Sequence, residues 1–436
     1  MILGSDPGAD PYVPGHGDTG FDVLHYDLKI EYDVEGNRLS GTARVDCVTR
    51  DAVEELGFDL HALDVSKVTL GGDTVKHRVR RGKVTVRPKK PMAAGERFTV
   101  RLRYAGHPKP VSTRRLGTAG WEELTDGSIV AGQPHGAPSW FPCNDRPSNK
   151  ASYQITVTAP TGYRVVANGE LARRRRRSGG VTWFFEQDEP MATYLATVHV
   201  GRYEVRPMDA SVPTSVVLPR RLVRRYADTF GRQPEMIETF TRLFGPYPFS
   251  SYTVVITDDD LEMPLEAQGL STFGANSLTP GWDSERLVAH ELSHQWFGNS
   301  LTLAHWKDIW LHEGFACYAE WLWSEHSGGR SAHEHASEHH ARLASSSQDL
   351  VLGDPGPELM FDDRVYKRGA LLLHALRRTL GDDSFFAMLR GWTQDHAHAG
   401  VSTEAFVRHA GAATTLDLDG LFDAWLDQEP LPPLPS

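Results

Sequence analysis

The sequence is poor in cysteine and has no long apolar run. It contains three cysteines, Cys47, Cys143 and Cys317, and no CxxC pair, which argues against a disulfide framework and against a cysteine-based zinc site. No stretch of 18 consecutive apolar residues is present, so no membrane-spanning helix is expected. The sequence also lacks the GxSxG pattern of serine hydrolases and the P-loop of nucleotide-binding proteins.

The sequence also has fewer basic than acidic residues. The chain has 46 Lys and Arg residues against 57 Asp and Glu residues, a net charge of −11. This balance argues against nucleic acid or an anionic membrane as the main partner, and it is consistent with an amine-bearing substrate. The first twenty residues have neither a basic start nor an apolar stretch long enough for a signal peptide. We therefore expect a cytoplasmic protein, with a mature secreted form as the alternative.

The first half of the chain has the pattern of β-structure. Residues 1–20 are rich in Gly, Asp and Pro and are predicted to form a loose N-terminal arm. From 21 to 205, apolar residues alternate in short runs, for example at 26–34 and 98–104, and Gly, Pro and Asn clusters separate these runs. Residues 21–205 are therefore predicted to form an all-β domain, a sandwich or a saddle-like sheet.

The second half, residues 206–436, is predicted to be mainly helical. Two strands are expected in it, at 252–257 and at about 266–273. Helical periodicity and end signals predict three helices around the most polar segment, at about 284–297, 312–326 and 364–380. Ser284 is the expected N-cap of the first of these helices.

The segment HELSHQWFGN, residues 290–299, has the pattern of a metal site. On a helix, His290 and His294 lie four positions apart on one face, so both imidazoles can offer a nitrogen to the same ion. Glu291 points about 100° away round the helix, which makes it a poor third ligand beside them. It is well placed to act as general base for a water that the metal activates.

A catalytic zinc site needs a third protein ligand and one open position. WLHEGFACYAE offers Glu313, which lies 19 positions after His294 and leaves room for a loop and a second helix. The sequence therefore predicts one Zn²⁺ per chain, held by two histidines and a glutamate, and a hydrolysis reaction. The alternative, a buried helix with structural polar residues, is disfavoured by the added glutamate in a helical context.

Residues 290–320 resemble the zinc motif of the aminopeptidase N family of zinc metallopeptidases, a family that includes the leukotriene epoxide hydrolase. The resemblance covers most of the chain. It implies an α+β architecture, in which the all-β domain is followed by a thermolysin-like, mainly helical zinc catalytic domain. It also implies that His290, His294 and Glu313 are the ligands and that Glu291 is the base.

Three further segments carry the resemblance. RVYKRGALLLHAL is similar to the segment with the catalytic tyrosine, which implies that Tyr366 donates its hydroxyl to the oxyanion. WFPCNDRPSNKASY is similar to the family's β-domain signature, and Gln133, ten residues before Cys143, stands where the family holds the substrate's free α-amine. MPLEAQGLSTFG occupies the place of the G-A-M-E-N motif, which makes Glu266 the main anchor for that amine.

The amine-binding segment departs from the family motif. Ala267 replaces the motif's Asn, Gln268 replaces the following Trp, and Pro264, which has no N–H, occupies the second position. These departures bear on side-chain preference and substrate placement more than on the activity. His312 replaces the Asn that usually precedes the third ligand, and we expect it either to support the metal site or to lie in solvent.

The predicted function is hydrolysis of the N-terminal peptide bond of peptides with a free amine. LFDAWLDQEPLPPLPS resembles the end of the catalytic domain, so we expect a two-domain form without the family's C-terminal helical domain and with a more open site. One alternative is an epoxide hydrolase acting on a lipid, which needs a long apolar tunnel. Another is an inactive peptide-binding or scaffold protein, against which the retention of all the zinc and catalytic residues argues.

Three other features are assigned structural roles. In HEHASEHH, residues 333–340, His335 and His339 are four positions apart but have no evident third ligand, so an exposed helix face is predicted. The five arginines at 173–177 are predicted to form a solvated hairpin tip. Cys317 is predicted to pack in the interior.

Overall fold

The computed structural model describes residues 10–435, and its first half is built on an eight-stranded sheet. The central strand, Phe21–Asp33, pairs in parallel with Ala151–Pro160 and antiparallel with Arg38–Thr49. Side chains of the central strand alternate in burial, as the sequence pattern predicts. In spatial order the strands are Glu170–Arg177, Gly180–Met191, Ala151–Pro160, Phe21–Asp33, Arg38–Thr49, Arg97–Gly106, Leu63–Leu70 and Asp73–Thr74.

The five arginines lie in the edge strand of this sheet. Strand Glu170–Arg177 is exposed along its whole length, and the chain turns after it, at Ser178 and Gly179. The arginines were predicted at the tip of a hairpin, and they occupy one of its strands instead.

Two smaller sheets complete the β-rich half. A five-stranded sheet contains, in spatial order, Arg164–Ala167, Val198–Gly201, Gly127–Ala131, Gly117–Leu124 and Val111–Thr113. A three-stranded sheet contains Leu56–Asp59, Lys83–Arg87 and Lys76–Arg80. Aromatic side chains of the large sheet are buried, among them Tyr26, which stacks on Tyr153 of the paired strand with ring centroids 4.8 Å apart.

A fourth sheet, of five strands, opens the second half. Its strands are, in spatial order, Tyr203–Met208, Thr214–Pro219, Tyr252–Ile256, Leu270–Phe273 and Leu265–Ala267. The prediction of a single strand at about 266–273 is therefore wrong, because this stretch forms a hairpin of two strands. The chain reverses at Gly269, whose φ of 71° lies in the left-handed region that glycine adopts without strain.

Helices make up most of the remainder. They are α1 (Ala227–Phe230), α2 (Gln233–Phe244), α3 (Trp282–Ser293), α4 (Trp310–His326), α5 (Ala332–Ala344), α6 (Asp363–Leu380), α7 (Asp382–Asp395), α8 (Thr403–Ala412) and α9 (Asp419–Phe422). A π-helical turn, Asp423–Asp427, follows α9, and a two-stranded sheet joins Thr302–Leu303 to Gly400–Val401. The three predicted helices correspond to α3, α4 and α6. Ser284 lies inside α3 and does not cap it, because the helix begins after Gly281.

The described part of the predicted loose arm, residues 10–20, is attached to the second half of the chain. Asp10, Tyr12 and Val13 are buried, and Asp10 accepts a hydrogen bond from the Trp306 N–H at 2.8 Å. The Tyr12 hydroxyl donates to Asp354 and accepts from the Gly356 N–H. The arm prediction is therefore wrong in this part, and residues 1–9 lie outside the described residues.

The predicted fold class, a β-rich domain followed by a mainly helical one, is confirmed. The proposed boundary between residues 205 and 206 falls inside strand Tyr203–Met208, which pairs with Thr214–Pro219 of the fourth sheet. The domain limits stay a prediction. Within residues 10–435 no helix has the length and apolar character that crossing a membrane requires.

Candidate active site

Helices α3 and α4 bring His290, His294 and Glu313 together. One ligand atom from each of the three side chains lies within 4.8 Å of the other two. Glu313 Oε2 is 3.3 Å from His290 Nε2 and 3.5 Å from His294 Nε2. In a tetrahedral zinc site with bonds of about 2.0–2.1 Å, ligand atoms are about 3.3–3.4 Å apart. These residues therefore fit a zinc ion in donor type and in spacing.

A second contact orients each imidazole. His290 Nδ1 is 2.8 Å from Glu320 Oε1, and His294 Nδ1 is 3.0 Å from the Phe297 carbonyl oxygen. Both acceptors require a proton on Nδ1, which leaves the Nε2 lone pairs directed at the common point. Glu320 is anchored in turn by Arg286, whose Nη1 lies 3.2 Å from Glu320 Oε2.

Glu320 and Arg286 were missed by the sequence analysis, although the sequence contains a signal for both. Glu320 follows Glu313 by seven residues, which is two helical turns and therefore the same face of α4. Arg286 precedes His290 by four residues on α3.

The cluster favours positive charge. Burial lowers the pKa of His294, but the carboxylates of Glu266 and Glu313 outweigh that effect and raise it to about 10. Burial likewise lowers the pKa of His290, but contacts with Glu313 and Glu320 raise it to about 9. Burial raises the pKa of Glu320, but the His290 contact and the charge of Lys367 lower it to about 2. Carboxylates that attract protons to this extent provide a suitable environment for a divalent cation.

Glu291 points into the same space without being held by a partner. It is buried, and its Oε2 has no hydrogen-bond partner among the described residues. Burial raises the pKa of Glu291 to about 8. A buried carboxylate oxygen without a hydrogen-bond partner lowers the stability of the fold. Its presence here is explained if the atom hydrogen-bonds to a ligand or a water.

Tyr366 reaches the site because α4 and α6 approach closely. A Cβ built on Gly314 would lie 2.8 Å from Gly369 Cα, so the two helices touch through their backbones. Gly314 follows Glu313, and Gly369 lies one turn after Tyr366. The Tyr366 ring stacks at 17° to the His290 ring, 6.2 Å away. Burial holds the pKa of Tyr366 well above its usual range, so the hydroxyl keeps its proton.

Glu266 and Gln133 form a pair on the other side of the cluster. Gln133 Nε2 donates to Glu266 Oε1 at 2.6 Å. The hairpin that bears Glu266 is tied to the segment of the two histidines, because the Ala267 carbonyl accepts from Gln295 Nε2 and from Asn299 Nδ2. At Ala267, where the family motif has Asn, the backbone therefore provides an anchor for the hairpin.

All seven residues singled out from the sequence line one cavity of about 690 Å³. They are Gln133, Glu266, His290, Glu291, His294, Glu313 and Tyr366. The structure thus brings them together, and their individual roles stay predictions. Pro264, which departs from the family motif, also lines the cavity. The volume is in the range that binds small ligands.

The structural assignment of His335 and His339 is wrong at this cavity. His335 and His339 were predicted on an exposed helix face, but both line the cavity. His339 stacks on Trp321 with centroids 5.2 Å apart, and His335 stacks on Trp282 at 5.6 Å. His312 is fully buried, and its Nε2 accepts the Leu303 N–H at 2.9 Å, so it holds the loop before α4 and does not lie in solvent.

Sequence comparison identifies the families that this chain resembles. The model of the peptidase family M1 domain matches residues 229–425, and that of the peptidase M1 N-terminal domain matches residues 23–195. The chain is 24% identical over 389 residues to a leucyl aminopeptidase of Saccharolobus solfataricus and 26% identical over 423 residues to human endoplasmic reticulum aminopeptidase 1. These alignments cover 83% and 87% of this chain, which spans about half the length of both relatives, 48% and 44%.

Structure comparison finds matches over almost the whole chain. A mutant M1 zinc metallopeptidase from Deinococcus radiodurans, bound to a Tyr-Ser-Ala substrate, matches with a TM-score of 0.90 and 32% identity. That match covers 98% of this chain and 99% of the other. Yeast LTA4 hydrolase has the same fold, with a TM-score of 0.81 at 20% identity, over 96% of this chain and 69% of its own.

Proposed function

The chain belongs to the peptidase M1 family, and we propose that it is a zinc aminopeptidase that removes the N-terminal residue from peptides. The observation that carries the proposal is the distribution of charge along one cavity. A donor set suited to zinc lies beside the carboxylate of Glu266, which is suited to an ammonium group. An N-terminal amine held by Glu266 and Gln133 would place the first peptide bond at the metal site.

One zinc ion per chain is part of the proposal, with His290, His294 and Glu313 as its ligands. Bound there, Zn²⁺ supplies a Lewis acid that polarises the scissile carbonyl and lowers the pKa of a coordinated water. Glu320 and the Phe297 carbonyl hold the two imidazoles in the orientation that this binding needs. The relatives support this assignment, since the structurally similar M1 proteins are zinc metallopeptidases.

Three residues of the chain carry out proton transfer, stabilisation of the oxyanion and binding of the amine. Glu291, through its unpartnered Oε2, takes a proton from the attacking water and passes it to the leaving amine. Tyr366 donates its hydroxyl hydrogen to the oxygen of the scissile carbonyl as negative charge develops there. Glu266, with one oxygen bonded to Gln133, accepts from the substrate's ammonium group and fixes the peptide's register.

Peptides with a free N-terminal amine are the proposed substrates, and the Tyr-Ser-Ala bound to the Deinococcus radiodurans protein is such a peptide. A cytoplasmic location is proposed from the sequence alone. No nucleic-acid or membrane partner is proposed, because the net charge of the chain is −11.

The decisive experiment measures zinc content and then hydrolysis of aminoacyl-arylamides with and without N-acetylation. Cleavage that needs zinc and is abolished by acetylation is expected, because acetylation removes the charge that Glu266 binds. Equal cleavage of free and blocked substrates would point to an endopeptidase. A zinc-loaded protein that cleaves neither would favour the epoxide hydrolase or the inactive peptide-binding protein.

A further inference from the structure

Lys367 lies next to Tyr366 on α6 and lines the same cavity. It is 8% exposed, and its Nζ donates to Cys317 Sγ at 3.2 Å. Within residues 10–435 the nearest carboxylate oxygen is Asp363 Oδ1, at 3.8 Å, beyond hydrogen-bonding distance. The ammonium group of Lys367 is therefore buried beside the cavity without an anion bonded to it.

The carboxylates around Lys367 are engaged elsewhere. Both oxygens of Glu320 have partners, since Oε1 meets His290 Nδ1 and Oε2 meets Arg286 Nη1. Asp363 is largely exposed and pairs with Arg342, with 2.8 Å between Asp363 Oδ2 and Arg342 Nη2. Burial lowers the pKa of Lys367, but Cys317, Glu320 and Asp363 outweigh that effect and hold the pKa above its usual range, so the group stays charged. An anionic group of a ligand would supply the hydrogen-bonded anion that these carboxylates do not.

The neighbouring helix adds a second unpartnered group. His339 on α5 also lines the cavity, and its Nδ1 is buried without a hydrogen-bond partner among the described residues. Burial lowers the pKa of His339 to about 4, and the charge of Lys367 contributes to this shift, so the two groups are close and His339 is neutral at pH 7. A neutral imidazole beside a lysine can donate a second hydrogen bond to an anion.

We infer that Lys367 binds the C-terminal carboxylate of the substrate, with His339 as a supporting donor, so that the enzyme prefers short peptides with a free C-terminus. This inference rests on the proposed aminopeptidase function. It fixes the orientation of the bound peptide. The peptide's N-terminal ammonium binds at Glu266 and Gln133, and its C-terminal carboxylate binds at Lys367, beyond the metal site. Trp282, Trp321 and His335 form the wall along which the residues after the scissile bond lie.

The test compares free-acid and amidated forms of one peptide series, from dipeptide to hexapeptide, all with the same first two residues. For the wild type we expect kcat/KM to favour the free acid on the order of 10- to 100-fold at the length that reaches Lys367, because the acid is charged and the amide is not. The preference should vanish for peptides two or more residues longer, whose carboxylate lies outside the cavity.

Lys367→Met removes the charge and keeps the length of the side chain. We expect its acid-to-amide ratio to fall to about one. Acid and amide share the same catalytic centre, so the ratio is independent of any change in the catalytic step, which hydrolysis of an aminoacyl-arylamide measures separately. Lys307→Met is the matched control, because Lys307 pairs with Glu404 outside the cavity, and the ratio should be unchanged. His339→Phe keeps the stacking on Trp321 and should reduce the ratio by a smaller factor.

The possible failures can be told apart. A zinc-loaded wild type that does not cleave arylamides overturns the proposed function. A wild type that cleaves arylamides but shows a ratio near one at every peptide length overturns this inference alone, whether or not Lys367→Met folds. A folded Lys367→Met protein that keeps the wild-type ratio also overturns it.

Discussion

Gly314 and Gly369 bring helices α4 and α6 into backbone contact, with only 2.8 Å between a Cβ built on Gly314 and the Cα of Gly369. This contact sets how near Tyr366 comes to His290, His294 and Glu313. Neither helix can accept a side chain at the crossing without moving away from the other, since the opposing atoms are backbone atoms.

Gly369→Ala is expected to lower stability by about 1–3 kcal/mol, because its methyl group overpacks the crossing. It should also lower kcat, since α6 carries Tyr366. Gly411→Ala is the control: Gly411 lies in α8, a Cβ there has no neighbour within 4 Å, and alanine should be neutral or stabilising by up to about 1 kcal/mol. Thermal unfolding and arylamide kinetics measure both effects, and equal midpoints for the two variants would contradict the overpacking argument.

Glu291→Gln is expected to keep its zinc and lose turnover. The amide preserves the shape of the side chain but cannot accept the proton, so kcat should fall about 10²- to 10⁴-fold. Metal content should stay at the wild-type level, because the proposed ligand atoms belong to His290, His294 and Glu313. Metal analysis and arylamide kinetics on the same preparation test this, and turnover that survives would mean that another group is the base.

Glu320→Gln is expected to weaken zinc binding about 10- to 100-fold, because the charged acceptor at His290 Nδ1 is lost and Arg286 loses its ion pair. A competitive titration with a chelator measures the affinity. Glu235→Gln, a change on α2 at a side chain that is 61% exposed, should leave the affinity unchanged. Equal affinities for both variants would show that Glu320 does not tune the site.

Acid is expected to destabilise the fold through buried neutral histidines, of which His199 is one. Burial lowers the pKa of His199 from 6.5 to about 3. Between these values the unfolded chain binds a proton that the folded chain does not, so stability falls as the pH falls from 6.5 to about 3. In His199→Gln the slope of unfolding free energy against pH should be smaller by about 1.4 kcal/mol per pH unit near pH 5. Urea unfolding at several pH values tests this, and an unchanged slope would exclude the contribution.

Local spacing was sufficient to predict that His290, His294 and Glu313 come together. The four-residue interval of His290 and His294 fixes their common face, and Glu313 belongs to a helix that the pattern also predicts. Glu320 could have been found by the same logic, because it lies two turns after Glu313. The alternating strands were likewise predictable, since one face of each is buried in a single core.

The features that depend on packing between distant segments were not predictable. His335 and His339 line the cavity because Trp282 of α3 and Trp321 of α4 stack on them, and a helical pattern within α5 does not contain that information. The burial of Asp10 depends on Trp306, far along the chain. The hairpin at 265–273 depends on a turn at Gly269 within a run that otherwise resembles one strand.

The arginine-rich edge strand bears on self-association. An outermost strand presents free backbone N–H and C=O groups to which a second molecule could add its own strand, and arginines on both copies would repel such an approach. Salt shortens the reach of that repulsion from about 10 Å at 0.1 M to about 3 Å at 1 M. Light scattering should therefore show larger particles as ionic strength rises, and replacing Arg175 and Arg177 with threonine should produce them already in dilute buffer. The arginines of this strand do not line the cavity, and their role would be to keep the molecules apart in concentrated solution.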